Sequence, residues 1–207
     1  MEHRDRDIRI FRRIMHALGG PEVSQASPGR LALEIGKSFI GRPYAPGTLE
    51  TRGPERLIVN LRAFDCFTFV ENVVALTGLV RSGDRSFQRF GERLRMLRYR
   101  GGRLRGYSSR LHYFSEWIYD NSRKGLLRDV TAGMGGKPLR KTINFMTGNP
   151  GAYPALGDPG CARRMKALER VISRRPLFVI PKERLRRVED RIEEGDIIAV
   201  ATNLEGL

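Results

Sequence analysis

The sequence predicts one helix-rich domain interrupted by short strands, and three observations predict it. Apolar residues recur at helical spacing in several separate stretches, above all Phe69, Val70, Val73, Leu76 and Val80. Short β-type runs such as Leu57-Ile58-Val59 and Leu177 to Ile180 stand among glycine- and proline-rich breaks. At 207 residues and 40% hydrophobic content, with no internal repeat or linker, the whole of 1–207 fits a single domain.

Taken in order, Ile8, Phe11, Met15 and Leu18 form a stripe with Arg9, Arg12 and Arg13 on other faces. Such a basic amphipathic helix could lie on a membrane, but packing on its own domain is the expectation. Gly19-Gly20-Pro21 ends it. Ser27-Pro28 reads as an N-cap with proline at the first helical position, opening a helix through about Phe39. The prolines and glycines of Gly41 to Glu50 cannot continue that helix and make a loop. Leu57-Ile58-Val59 is then a short strand leading towards Cys66, and Cys66 to Val80 is the best-defined helix.

Ser86 to Leu97 reads as a more exposed helix, and Tyr99 to Tyr107, with Gly101-Gly102 inside it, as a hairpin-like excursion. Leu111, Phe114 and Ile118 mark a helix ending near Asn121, which would put His112, Glu116 and Tyr119 on one face. Leu126 to Thr131 is a candidate strand, and Ala132 to Gly160 a long loop of the kind that forms lids and cleft walls or else is disordered. A helix over Met165, Leu168, Val171 and Ile172 precedes a strand at Leu177 to Ile180. Lys182 to Ile192 follows as a charged helix, and Asp196 to Ala201 as a buried strand.

Composition bounds the function. A formal charge of +15, from 38 Lys and Arg against 23 Asp and Glu, attracts nucleic acid, anionic lipid or acidic wall polymer. The arginines are scattered rather than blocked, so a solvated surface is the simpler expectation. No zinc-finger spacing or RNA-recognition motif is present, and the aromatics sit in apolar stripes, which argues against specific nucleic-acid binding. Cys66 and Cys161 lie far apart without short-spaced partners, which excludes a zinc knuckle and a disulfide-dense scaffold; a single disulfide between them stays open but is not indicated, and no metal site is expected. No apolar run is long enough for a transmembrane helix, and Met1 to Leu18 is too charged for a signal peptide. As written, the chain reads as cytoplasmic.

The residues that speak to chemistry are Asp65-Cys66. With Asp65 as N-cap, Cys66 opens the helix, where unpaired N–H groups and the macrodipole favour negative charge. The Asp65 carboxylate works in the opposite sense. Thr68 and Glu71 fit a second capping pattern one turn in. A lone cysteine before an apolar helix also reads as a small buried hydrophobe, and Cys161 as an ordinary helix-start cysteine.

Gly41-x-Pro43-Tyr44-x-x-Gly47 followed by Asp65-Cys66 resembles the NlpC-type, papain-like cell-wall peptidases and amidases. Four stretches resemble its N-acetylmuramoyl-L-alanine amidase-like branch more closely, in that family's order. They are Arg42 to Glu50, Val59 to Asn72, Arg110-Leu111-His112-Tyr113-Phe114-Ser115-Glu116-Trp117-Ile118, and Gly195-Asp196-Ile197-Ile198. The resemblance implies an α+β fold with the cysteine helix packed on a small antiparallel sheet. It also implies hydrolysis of the amide between a muramoyl lactyl group and L-alanine in peptidoglycan fragments, through a Cys66 thioester, without a cofactor. Cys66 would be the nucleophile, and Tyr44 would orient the thiol or polarise the carbonyl. Thr48, Glu50, Arg110, His112 and Tyr113 match positions expected to line the cleft. Family resemblance suggests a periplasmic or cell-envelope setting.

The family's general base is a histidine on a strand soon after Gly-Asp-Ile-Ile. This sequence reaches Leu207 about where that residue would be met. The expectation is therefore a chain lacking the later strands and that histidine, with the cysteine helix left partly uncovered and the fold marginal. His112 as the base, and a non-catalytic binder of wall fragments, are the other two readings.

Overall fold

A computed structural model of the chain describes residues 2–18, 20, 25–51 and 53–202. They divide into two compact units, Met1–Leu104 with Glu193–Ile197, and Arg105–Ile192 with Ile198–Leu207. Among the described residues the fold is α+β, dominated by helices, with one small open sheet of two antiparallel strands.

In the first unit, α1 (Glu2–Ala17) turns Phe11, Ile14 and Met15 inward, as an own-domain helix should. Phe11 stacks on Phe90 at 5.5 Å and meets the edge of Phe87 at 5.3 Å. Gly19 and Pro21, expected to end this helix, lie outside the described residues. Helix α2 (Pro28–Lys37) starts as its sequence predicts. Ser27 Oγ accepts the Arg30 N–H at 3.2 Å, Pro28 occupies the first turn, and Leu31 and Ile35 are fully buried.

Helix α3 (Cys66–Arg81) packs against both α2 and α4 (Phe87–Arg98), so its apolar circumference meets helices. The two-stranded sheet, against which a cysteine helix was expected, belongs to the second unit. Leu76 and Leu79 are fully buried in α3, each worth about 1.5–3 kcal/mol of apolar transfer. Glu71, read as part of a cap, is instead ion-paired with Arg98 at 2.8 Å. A 3-10 turn at Arg100–Gly102 opens the stretch expected as a hairpin, with Gly101 and Gly102 both at positive φ.

The strands expected at 57–59 and 196–201 do not form among the described residues. Leu57-Ile58-Val59 has no partner strand among the described residues; Arg98 donates to the Ile58 carbonyl, and Tyr99 to that of the preceding Arg56. Asp196 to Ala201 forms no strand and is exposed rather than buried, with Ile198 at 65% and Val200 at 86%, since no described segment pairs with it. What holds its start is a backbone contact. Gly195, at φ 86°, lies so close to Gly29 that a Cβ on either would overlap main-chain oxygen. Arg30 adds an ion pair to Glu194 at 3.2 Å.

In the second unit, α5 (Phe114–Arg123) begins after Tyr113, so His112 precedes the helix rather than lying on it. Leu126 to Thr131 leads into a turn closed by the Gly136 N–H on the Thr131 carbonyl, not a strand. The long glycine- and proline-rich stretch is ordered. It carries β1 (Lys137–Leu139), the short α6 (Phe145–Gly148) and two 3-10 turns. Strand β1 pairs with β2 (Leu177–Val179), setting Lys137 opposite Val179 and Leu139 opposite Leu177. Helix α7 (Pro159–Ser173) is capped by Asp158, and Lys182 to Ile192 takes 3-10 rather than α form. Tyr113, Ile143, Met146, Leu156, Cys161, Met165 and Ile172 make the core.

The Gly29–Gly195 approach yields a test. Gly195→Ala and Gly29→Ala should each destabilise by about 2–3 kcal/mol in urea unfolding. Gly83→Ala, also at positive φ but with open space around its Cβ, should cost only about 1 kcal/mol. Equal losses at Gly83 and Gly195 would reduce the effect to backbone strain.

Candidate active site: a thiol at a capped helix start

The first turn of α3 is built by a reciprocal cap. Asp65 Oδ1 accepts the Thr68 N–H at 2.7 Å, and the Asp65 N–H donates to Thr68 Oγ1 at 3.0 Å. The Thr68 hydroxyl also donates to Asp65 Oδ1 at 2.7 Å, so this carboxylate is committed to the helix. Cys66 follows as the first helical residue with an exposed thiol. The opening N–H groups of a helix have no intrahelical acceptor, and the Cys66 thiol stands at that end of α3.

The Tyr44 loop is laid along the approach to that thiol. The Ala45 N–H donates to the Phe64 carbonyl at 2.8 Å and the Phe64 N–H to that of Pro43 at 3.1 Å, so Tyr44 and Phe64 bridge in parallel. Phe64 is buried against Phe39 and Phe69, at 4.8 and 6.0 Å between rings, which anchors the bridge. The Tyr44 side chain is left 71% exposed, two residues of backbone from Cys66 across the bridge. Further along the loop the Glu50 N–H closes a turn on Gly47. Thr48 Oγ1 is shielded from solvent with no hydrogen-bond partner among the described residues, while Glu50 is exposed.

The remaining expected residues form a second group, in the second unit, around Tyr107. Arg110 is buried with its guanidinium 4.9 Å from the Tyr107 ring centre. The His112 ring lies 4.4 Å from the same ring, and its Nε2 is 2.9 Å from the Tyr107 carbonyl oxygen. An acceptor there requires Nε2 to carry the proton. Tyr113, expected in a cleft wall, is buried, and its hydroxyl donates to Glu169 at 2.6 Å while accepting the Met146 N–H at 3.0 Å. Burial first, and then the bond to Glu169, hold this phenol protonated far above its usual range. Glu169 also accepts the Thr147 N–H at 3.1 Å and the Thr147 hydroxyl.

Sequence reasoning missed Glu169 and Tyr107. Glu169 had a signal, since it falls on the inward face of α7 with Met165 and Ile172. Tyr107 had none. Cys161 sits within the apolar core, the environment of an inert structural thiol. The Asp158 carboxyl capping its helix is lowered by the Cys161 N–H and then that of Gly160. Among the described residues no three His, Cys, Asp or Glu side chains gather closely enough to hold a metal ion. A groove of about 600 Å³ in the first unit, walled by Arg4, Ile8, Arg12 and Phe87, contains none of the expected site residues.

Comparison with known proteins adds a family. The AmiA-like profile, described as N-acetylmuramoyl-L-alanine amidase-like, matches residues 34–207. An N-acetylmuramoyl-L-alanine amidase from Bacteroides uniformis is 37% identical with a TM-score of 0.82, over 88% of this chain and 77% of that one. A Bacteroides fragilis protein provisionally named a xylanase is 35% identical with a TM-score of 0.69, over 73% of this chain and 66% of that one. A Legionella pneumophila protein of the DUF1460 family shares the fold at 23% identity and a TM-score of 0.62, over 89% of this chain and 66% of that one. No curated protein matches the chain.

The Tyr113–Glu169 bond predicts a pH dependence. The folded-state phenol holds its proton more tightly than an unfolded one, so stability should be flat below about pH 10 and fall above it. In urea unfolding across pH 8–11, Tyr113→Phe should lose about one proton's worth of that alkaline slope. It should also cost about 1–3 kcal/mol at neutral pH, by leaving Glu169 short of a donor.

Proposed function

Because the chain belongs to the N-acetylmuramoyl-L-alanine amidase-like family, we propose that it is a cysteine amidase that cleaves the muramoyl–L-alanine amide of peptidoglycan fragments, with Cys66 as nucleophile. The observation that carries this reading is the exposed thiol at the capped start of α3, beside the bridged Tyr44 loop. A cysteine opening a helix also suits a papain-like arrangement.

The Cys66 sulfur, as thiolate, attacks the lactyl carbonyl carbon and forms a C–S bond. The negative charge passes to the carbonyl oxygen, where N–H groups of the α3 first turn are suited to meet it. Collapse breaks the C–N bond, and the departing L-alanine nitrogen takes up a proton. Water then opens the thioester, releasing the lactyl carboxylate and returning the thiol. Tyr44 is suited to orient sulfur or carbonyl, with Thr48 and Glu50 on the same loop as substrate contacts. Within the second unit, Arg110 and His112 share the Tyr107 ring and Tyr113 is braced on Glu169; a guanidinium fork is of the kind that pairs with carboxylates.

The charge of +15 favours acidic wall fragments, and a substrate of this kind accords with residence in the cell envelope. No described helix is long and apolar enough to cross a membrane. Glycoside hydrolysis, the chemistry of the xylanase name, uses a pair of carboxylates. Asp65 and Glu71, the acids nearest Cys66 in sequence, are held by Thr68 and Arg98, which favours the thiol reaction.

One observation favours a second reading, a muropeptide binder without turnover. His3 and His16 belong to α1, and His112, the third histidine of the chain, has Nε2 engaged with a backbone carbonyl. An anhydro-muropeptide assay decides between them. Turnover releasing a free L-alanine amine, reduced at least 1000-fold by Cys66→Ser, is the expected result. Binding without turnover, equal in the wild type and Cys66→Ser, would replace the amidase with the binder.

A further inference from the structure

We infer that Arg98 is a positioning residue for the Cys66 thiol, clamping the strandless run that carries the chain into the nucleophile. The inference rests on Cys66 being that nucleophile. Arg98 is the last residue of α4, and its side chain is 2% exposed, against 0% for that of its partner Glu71. Nε donates to Glu71 Oε2 at 2.8 Å, and Nη1 donates to the carbonyl of Ile58. Glu71 lies in the second turn of the helix that Cys66 begins, about 7.5 Å along its axis.

These contacts close a ring. From Cys66 the helix runs to Glu71, Glu71 binds Arg98, Arg98 binds Ile58, and the chain from Ile58 returns to Cys66. Among the described residues the backbone within the ring has no strand partner before the bridge at Phe64. Other side chains hold the run just before Ile58 and within it. The Tyr99 hydroxyl meets Glu55 at 2.9 Å and the Arg56 carbonyl at 3.1 Å, and buried Asp7 accepts the Leu61 N–H at 2.9 Å. Next to Cys66 itself the Asp65–Thr68 cap and the Phe64–Phe69 ring contact join the run to the helix, and Arg98 ties the start of the run to the helix one turn further in. Lysine cannot reproduce it, since one ammonium lacks the planar fork that serves carboxylate and carbonyl together.

A misplacement of about 1 Å at a nucleophile can cost about 100-fold in rate, so the clamp should act on kcat. The test uses the full chain with Arg98→Lys and with the double variant Glu71→Leu/Arg98→Met. An apolar replacement of a buried pair usually keeps the fold while removing the clamp. Each variant is measured for thermal unfolding, for kcat and KM per titrated Cys66 thiol on an anhydro-muropeptide, and for hydrogen exchange of the peptide 57–65.

The expected result is a folded double variant whose 57–65 amides exchange at least 10-fold faster, with α2 and α3 amides unchanged. Its kcat should fall 10–100-fold with KM within threefold, and Arg98→Lys should fall between it and the wild type. Unchanged exchange of 57–65, or faster exchange with unchanged kcat, overturns the inference. So does a loss of protection spread evenly through the unit, which marks a purely structural pair. A wild type without turnover defeats the nucleophile reading instead, and the exchange data still decide whether Arg98 holds the run.

Discussion

A buried backbone must have its N–H and C=O groups answered, and sheets usually do this by pairing strands. Here the approach to the thiol is answered by side chains. Arg98 serves Ile58, Tyr99 serves Arg56, and Asp7 serves Leu61 while also holding Arg62 Nε at 3.1 Å. Two of these anchors close α4 and one faces inward from α1, so the register of both helices depends on polar atoms in an apolar setting. The cost of leaving such a group unpaired, about 1–3 kcal/mol, is comparable to a buried leucine.

The basic composition looks different in this light. Arg98 and Arg110 are buried, and Arg62 is half-buried against Asp7. Their guanidiniums reach carboxylates, carbonyls or aromatic faces that a compact ammonium would serve less well. Part of the positive charge is therefore architectural, while the remainder lies on exposed helix faces such as that of α1.

How much of this was legible in the sequence depended on the range of the interaction that decides each element. Caps are local, so Ser27 with Pro28, and Asp65 before Cys66, were readable, and the helices they open followed. Strands are not local. Leu57-Ile58-Val59 and Asp196 to Ala201 have suitable residues, but a strand needs a partner distant in sequence, and neither has one among the described residues. Glu71 was misread for the same reason, because Thr68-x-x-Glu71 mimics a capping box whereas its true partner lies 27 residues on. His112 was drawn into a helix by the spacing of Leu111 and Phe114, and Tyr113 gives no side-chain cap to mark the boundary. For the site, the thiol and the Tyr44 loop were visible as motifs, while the engagement of Tyr113 with Glu169 required the fold.

The contrast between the two cysteines has a practical consequence. Cys66 faces water, and Cys161 is sealed among Met146, Leu156, Met165 and Ile172. A soluble maleimide should therefore consume one equivalent promptly and the other only when the α7 core breathes open. With Cys66 blocked first, the slow second modification becomes a built-in clock for local opening of that core, read by mass alone and needing no added probe.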